Sequence, residues 1–293
     1  MTIVDAQLHP VVPVHSETIA ELAQPAVVCE LTREAMDCVG VDVALLTGGV
    51  EICTSAVNYY PQRFVGVVTY FDASGDRAAP DRDIESLFAA YLQTPGIGAV
   101  RTGIVDWSDG SLARGYRTGA LDRVFATAER LGAPLFLFAS GQPGAVARIA
   151  NAYPQLQIIV DHLGLPQTPM PVADDPWSLL PTTNSLARFD NVAIKFCGAP
   201  TLSRAPYPHA DIWPQLATVL EAFGPERIMW GSDMTRLRMK PGTNEIGDRR
   251  TWSSTYAEAL GYVRDTDRLS NSEKQAILGG TARRLLDIPA PAQ

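Results

Sequence analysis

Residues 121–162 read LDRVFATAERLGAPLFLFASGQPGAVARIANAYPQLQIIVDH. Over 121–131 the apolar residues recur at three- and four-residue spacing and Gly132 follows, which predicts an amphipathic helix with a glycine stop. Residues 134–138 (PLFLF) are a short, continuous apolar run, the pattern of a strand covered on both faces. The helical spacing returns over 145–153 and ends before Pro154, and a second strand follows at 157–161 (QIIVD). Helix, strand, helix, strand at these lengths is the rhythm of a parallel α/β sheet.

The same rhythm extends in both directions. Strands are predicted at 2–6 (TIVDA), 41–46 (VDVALL), 64–69 (FVGVVT), 97–102 (IGAVRT), 191–196 (NVAIKF) and 227–230 (RIMW), which brings the total to eight. A further helix is expected at 212–223, stopped by Gly224-Pro225. The last helix opens at Ser270 with a capping box to Glu273 and runs through ILGGTARRLL. Eight alternating units predict an α/β fold, a (β/α)8 TIM barrel, as one domain over 1–293. A doubly wound open sheet would carry a glycine fingerprint after its first strand, and here Gln7-Leu8-His9-Pro10 stands in that place. The stretches 167–181, 203–214 and 236–250 then rise as loops over the C-terminal face, where barrel sites lie.

Composition narrows the function classes. The chain has 293 residues, 46% hydrophobic and 19% charged, so a large core is available and disorder over most of the length is excluded. A net charge of −8 without a basic run argues against nucleic acid as a partner. No stretch approaches the roughly 18–20 apolar residues of a membrane span. The first residues, MTIVDAQLHP, lack a basic leader, and Cys29, Cys38, Cys53 and Cys197 form no CxxC pair, so a cytoplasmic location is expected.

The residues with chemistry gather at strand ends. His9 follows the first strand, His162 the sixth, and Asp233 the eighth; the other histidines are His15 and His209. In a barrel these three ends share one mouth, where two imidazoles and a carboxylate activate water or bind a metal. Arg101 ends the fourth strand, and buried there it needs an internal or a substrate carboxylate. Lys195 lies within the seventh strand and is one of three lysines, with Lys240 and Lys274; an ion pair with Asp161 or Asp233 is the structural alternative to a role at the site. Tyr70 ends the third strand, and Arg236 and Arg238 follow Asp233, placed to receive an anion. Ser140 has no G-x-S-x-G elbow around it, and Cys197 has no activating histidine beside it, so both read as structural. Trp107, Trp177, Trp213 and Trp252 fall in or near the loops, where they would stack on a ring or pack at the surface.

Five segments together resemble the amidohydrolase-related family of the amidohydrolase superfamily, in its lactonase-like branch. They are residues 3–9 (IVDAQLH), 160–164 (VDHLG), 193–198 (AIKFCG), 229–233 (MWGSD) and 277–285 (ILGGTARRL), and they span nearly the whole chain. The resemblance implies a distorted (β/α)8 barrel and a hydrolase that opens a lactone of a small anionic or polyhydroxylated metabolite. It matches His9 to the second histidine of a first-strand His-x-His, His162 to the strand-six histidine, and Asp233 to the general base. Where the family has the first histidine of that pair, this chain has Gln7, a weak neutral ligand for zinc.

The expected mechanism has Asp233 take a proton from water, with His162, His9 and Gln7 hydrogen-bonding the carbonyl oxygen. Arg101, Tyr70 and Arg236 would hold the substrate, and Lys195 would support the water or the carbonyl. No cofactor is expected. The alternative is one divalent ion, zinc or manganese, on His9, His162 and Asp233, serving a decarboxylase or hydratase of an aromatic or muconate-type acid. A catalytically degenerate barrel that only binds a small molecule is the second alternative.

Overall fold

The computed structural model describes residues 1–11, 24–70, 81–106, 109–167, 173–234, 236–238 and 253–289, with the side chains of 81–83, 85–87 and 238 left aside. His15, Trp107, Lys240, Trp252, the Arg238 side chain and most of the loop at 236–250 lie outside what is described.

Eight strands appear in chain order: β1 (Val4–Leu8), β2 (Val43–Gly48), β3 (Phe64–Tyr70), β4 (Ile97–Gly103), β5 (Leu135–Phe138), β6 (Ile158–Val160), β7 (Val192–Cys197) and β8 (Ile228–Gly231). They pair in sequence order, each parallel to the next. Helices connect them, among them Pro25–Val39, Val50–Tyr59, Asp122–Leu131, Pro143–Ala152 and Trp213–Phe223. The result is a nearly closed, single-domain TIM barrel.

Closure of the ring rests on side chains and loop backbone. The Asp233 N–H donates to the Gln7 carbonyl at 2.9 Å, and the Ser232 N–H donates to Asp5 Oδ1 at 2.9 Å. Asp5 Oδ2 accepts from the Tyr256 hydroxyl at 2.8 Å, so this carboxyl joins β1, the end of β8 and the helix Tyr256–Arg264. Burial pushes the Asp5 pKa up to about 6 against those hydrogen bonds. At Gly231 a Cβ would stand 2.8 Å from the Gln7 Cβ and 2.9 Å from its backbone N, so only glycine lets β8 approach β1 this closely.

Period-two alternation along each strand separates two apolar bodies. Val4, Ala6, Leu45, Val67, Ala99, Phe136, Ile159, Ala193 and Met229 fill the barrel, closed below by Ala282 and Leu286. Leu8, Leu46, Val68, Val100, Leu137, Val160, Ile194 and Trp230 face the helices. No helix among the described residues is long and apolar enough to cross a membrane.

Three sequence expectations shift. β1 and β2 begin two residues later than the apolar runs suggest, because the ladder starts where Val4 meets Val43 and slips between Asp5 and Leu8. Gln7 and Leu8 are therefore strand residues. The last helix is not continuous: Asn271–Gln275 passes through a π turn, Ala276–Gly280, into Thr281–Leu285. Its backbone turns extended at Gly279, which passes against the Thr2 carbonyl, while the capping box at Ser270 and Glu273 forms as expected.

Candidate active site

Two residues beyond Ala99, Ile159 and Ala193 come Arg101 on β4, Asp161 just past the end of β6, and Lys195 on β7. Arg101 Nε donates to Asp161 Oδ2 at 2.7 Å, and Lys195 Nζ lies 2.5 Å from Asp161 Oδ1. Burial opposes the charge on Asp161, but Lys195 and then Arg101 hold its carboxyl well below the usual range. Lys195 Nζ also donates to Gln7 Oε1 at 2.5 Å and to the Ala6 carbonyl at 3.4 Å, and sits 4.1 Å above the Phe136 ring. Arg101 thus takes the internal carboxylate of its two options. Lys195 is wholly buried below the mouth, so its expected contact with water or carbonyl gives way to the ion pair.

The rim of this layer holds His9, His162, Asp233 and Arg236. His162 and Asp233 adopt left-handed backbone at φ 54° and 46°, just past β6 and β8, and this turns both side chains toward each other. His162 Nε2 lies 2.8 Å from Asp233 Oδ2, and Arg236 Nε lies 2.6 Å from the same oxygen. His9 Nε2 is 3.7 Å from Asp233 Oδ1, and its side chain is 32% exposed, whereas His162 and Asp233 are fully buried. Burial, helped by Arg236, lowers the His162 pKa to about 4 against the pull of Asp233. Burial likewise lowers that of His9 against the pull of Asp233. For Asp233 burial works the other way, yet Arg236 and the His162 hydrogen bond hold its carboxyl far below the usual range. At neutral pH the cluster is therefore an ionised carboxylate between a guanidinium and two neutral imidazoles.

Neutrality fixes the proton directions. A neutral His162 donates from Nε2 to Asp233, which leaves Nδ1 a buried acceptor with no hydrogen-bond partner. Lys195 takes the Gln7 oxygen, so Gln7 Nε2 faces His9 Nε2 at 3.2 Å and donates to it. His9 then carries its proton on Nδ1 and gives it to the Thr47 carbonyl at 3.1 Å. In this arrangement the N–H groups of His162 and His9 are committed within the protein, and one N–H of Gln7 is given to His9.

Several contributors escaped the sequence reading. Phe138 is a platform: its ring meets the His162 ring edge-on at 5.6 Å and lies under the Arg101 and Arg236 guanidinium carbons at 5.6 and 5.8 Å. Gln167 donates to the His162 carbonyl at 3.2 Å and the Cys197 carbonyl at 3.1 Å, clamping the two strand ends. Only the polar character of Gln167 in a loop marked it beforehand. Tyr70 is half-buried against the outer core. Trp213 is buried against Tyr262, ring centroids 6.1 Å apart, and Trp177 packs on the outer core. His209 is buried beside Tyr262 as well, outside the cluster.

His162, Cys197 and Asp233 bring metal-ligand atoms within 4.8 Å of one another. A tetrahedral zinc with bonds of about 2.0–2.2 Å separates its N and O ligands by about 3.3 Å. His162 Nε2 and Asp233 Oδ2 are instead closed on each other at 2.8 Å, with Arg236 on the same oxygen. Gln7 offers an N–H at the mouth, with its oxygen on Lys195. As arranged, these donors do not fit a divalent ion.

Comparisons with known proteins agree with this fold. The 4-sulfomuconolactone hydrolase of Rhizobium radiobacter is 38% identical over 76 residues, 26% of this chain and 24% of that protein. The L-fucono-1,5-lactonase of Burkholderia ambifaria is 28% identical over 155 residues, 50% of this chain and 47% of that protein. The aligned stretches thus cover less than half the length of either relative. A crystal structure of an amidohydrolase from Burkholderia multivorans with bound zinc superposes with a TM-score of 0.70 at 18% identity, over 99% of this chain and 100% of that one. A Pseudomonas putida protein assigned as a 2-pyrone-4,6-dicarboxylic acid hydrolase gives 0.69 at 18% identity, over 99% and 98%. The family profile described as Amidohydrolase matches residues 23–288. By that match the chain belongs to the amidohydrolase family.

Proposed function

We propose that this protein is a hydrolase that opens a lactone of a small anionic or polyhydroxylated metabolite, with Asp233 as the base that activates water. One observation carries the reading: Asp233 is buried and ionised at the barrel mouth, with Oδ2 tied by His162 and Arg236 and Oδ1 turned toward His9. Oδ1 takes the proton as water attacks the ring carbonyl, and the carboxyl returns it to the leaving ring oxygen. A carboxyl held this low is always ionised but a weak base. A lactone carbonyl tolerates that, being electrophilic without a strong Lewis acid. His162 serves by aiming Asp233, a change from its expected donation to the substrate, because its N–H is spent on the carboxylate. Arg236, beside Asp233, favours substrates that carry a carboxylate. The lactones in the names of both curated relatives support the same class.

A panel of acidic and sugar lactones, followed by proton release, tests this. Turnover of at least one, undiminished by chelator, is the expected result. Decarboxylation or hydration of aromatic or muconate-type acids, lost on chelation, would replace the reading by a metal-dependent one. Lactone binding without turnover would leave only a small-molecule-binding barrel.

A further inference from the structure

We infer that Arg236 takes at Asp233 the place and charge of a divalent cation, and that Lys195, by holding the Gln7 oxygen away from the mouth, completes the exclusion of metal from this barrel. The inference rests on the Asp233 geometry of the proposed function and deepens it.

Burying an ionised carboxylate is costly unless a cation or hydrogen-bond donors compensate it. Here that cation belongs to the chain. The turn that carries Arg236 is wound directly from Asp233: the Arg236 N–H donates to the Asp233 carbonyl at 2.8 Å, which returns the guanidinium Nε to Oδ2 at 2.6 Å. Arg236 is 7% exposed, and Phe138 lies beneath its guanidinium. Guanidinium is permanently charged and matches a carboxylate in shape, so it supplies fixed positive charge that neither chelator nor pH removes.

Lys195 acts from below. Its ammonium has three acceptors, Asp161 Oδ1, Gln7 Oε1 and the Ala6 carbonyl. Rotating the Gln7 amide would set its NH2 against that ammonium. The amide therefore presents N–H to His9, and an N–H repels a cation. Gln7 and Arg236 thus act toward the same end, the first by presenting an N–H and the second by supplying the positive charge. Arg236 and Lys195 are positioning residues: the first holds Asp233, the second holds Gln7 and through it the proton on His9.

Zinc binding measured by calorimetry on the purified full chain tests this without any substrate. Wild type is expected to bind zinc only at the weak limit of the measurement, which sets the reference. Arg236→Ala should bind zinc at least about tenfold more tightly, and Arg236→Ala with Gln7→His about a hundredfold more tightly, the scale on which neighbouring groups tune metal sites. Arg236→Lys keeps a charge in place and should go on excluding zinc, which separates loss of charge from loss of folding. Guanidinium ion added at low, non-denaturing concentration should weaken the zinc binding gained by Arg236→Ala. One zinc per wild-type chain, bound as tightly as in Arg236→Ala, would overturn the inference. Should wild type exclude zinc and yet open no lactone, the proposed function fails while this inference stands.

Discussion

The lower and upper halves of the barrel interior are made by the same strands and are equally buried, yet they are different materials. Two residues along β4, Ala99 gives way to Arg101; past the end of β6, Ile159 gives way to Asp161; on β7, Ala193 gives way to Lys195. The lower half is held by shape and dispersion, which tolerate modest substitution. The upper half is held by charge among buried groups, where every partner matters because an ion left unpaired there is costly. The barrel thus keeps its chemistry rigid by setting it on an apolar floor and tying it laterally, Arg101 and Lys195 to Asp161, Arg236 and His162 to Asp233.

The largest effect should come from the top of the polar half. Asp233→Asn is expected to lower kcat on the true lactone about 10³-fold, the range for loss of a positioned base, while circular dichroism shows an intact fold. Near-wild-type turnover would end the assignment of Asp233. One level down, Lys195→Met strands Asp161 Oδ1 and releases Gln7. Urea unfolding should show a loss of about 3–5 kcal/mol, as for a broken buried pair. A loss below 1 kcal/mol would mean that the polar half is no more demanding than the floor.

Protonation separates the halves in a further way. His162 has a folded-state pKa of about 4, below the ordinary 6.5, so the folded state binds fewer protons than the unfolded one between those values. Its contribution is complete above pH 6.5 and shrinks as pH falls toward 4, by about 3 kcal/mol. Asp5 is raised from 3.8 to about 6, so its contribution is greatest below 3.8 and is lost as pH rises through 6, again by about 3 kcal/mol. The two oppose each other, and because His9 and His209 are lowered in the same direction as His162, Asp5 offsets only part of the loss as pH falls from 6 to 4. Asp5→Asn keeps the shape and removes one of the two. In that variant the unfolding free energy should fall by about 2–3 kcal/mol from pH 6 to 4. A flat profile there would contradict the depressed pKa of His162.

The smallest change belongs to the floor. Ile159→Val, two residues before Asp161, should cost about 1 kcal/mol and leave kcat unaltered. A large loss of activity from this substitution would show that the floor positions the charges more finely than the comparison allows.

Much of this was legible in the chain itself. The eight strands lie within two residues of their apolar runs, because strands covered on both faces must be continuous and hydrophobic. His9, His162 and Asp233 stood out at strand ends, and Lys195 announced a partner, since a lone ammonium inside a strand is untenable. The register of β1 was not legible, for its slip between Asp5 and Leu8 depends on how β2 and β8 meet it. Nor was Phe138, an ordinary apolar residue until three charged or polar side chains gather on its ring.

From sequence alone came the α/β barrel and the list of groups able to do chemistry, which follow from local periodicity and residue type, and the family resemblance, which rests on five matching segments. Tertiary structure alone decided which group faces which: that Arg101 Nε meets Asp161, that the oxygen of Gln7 points down to Lys195, and that Arg236 closes on Asp233. Those choices set every proton position at the mouth. They could not be read along the chain, because they depend on electrostatic contacts between residues up to 188 apart in sequence, made where the low dielectric lets the nearest charge prevail.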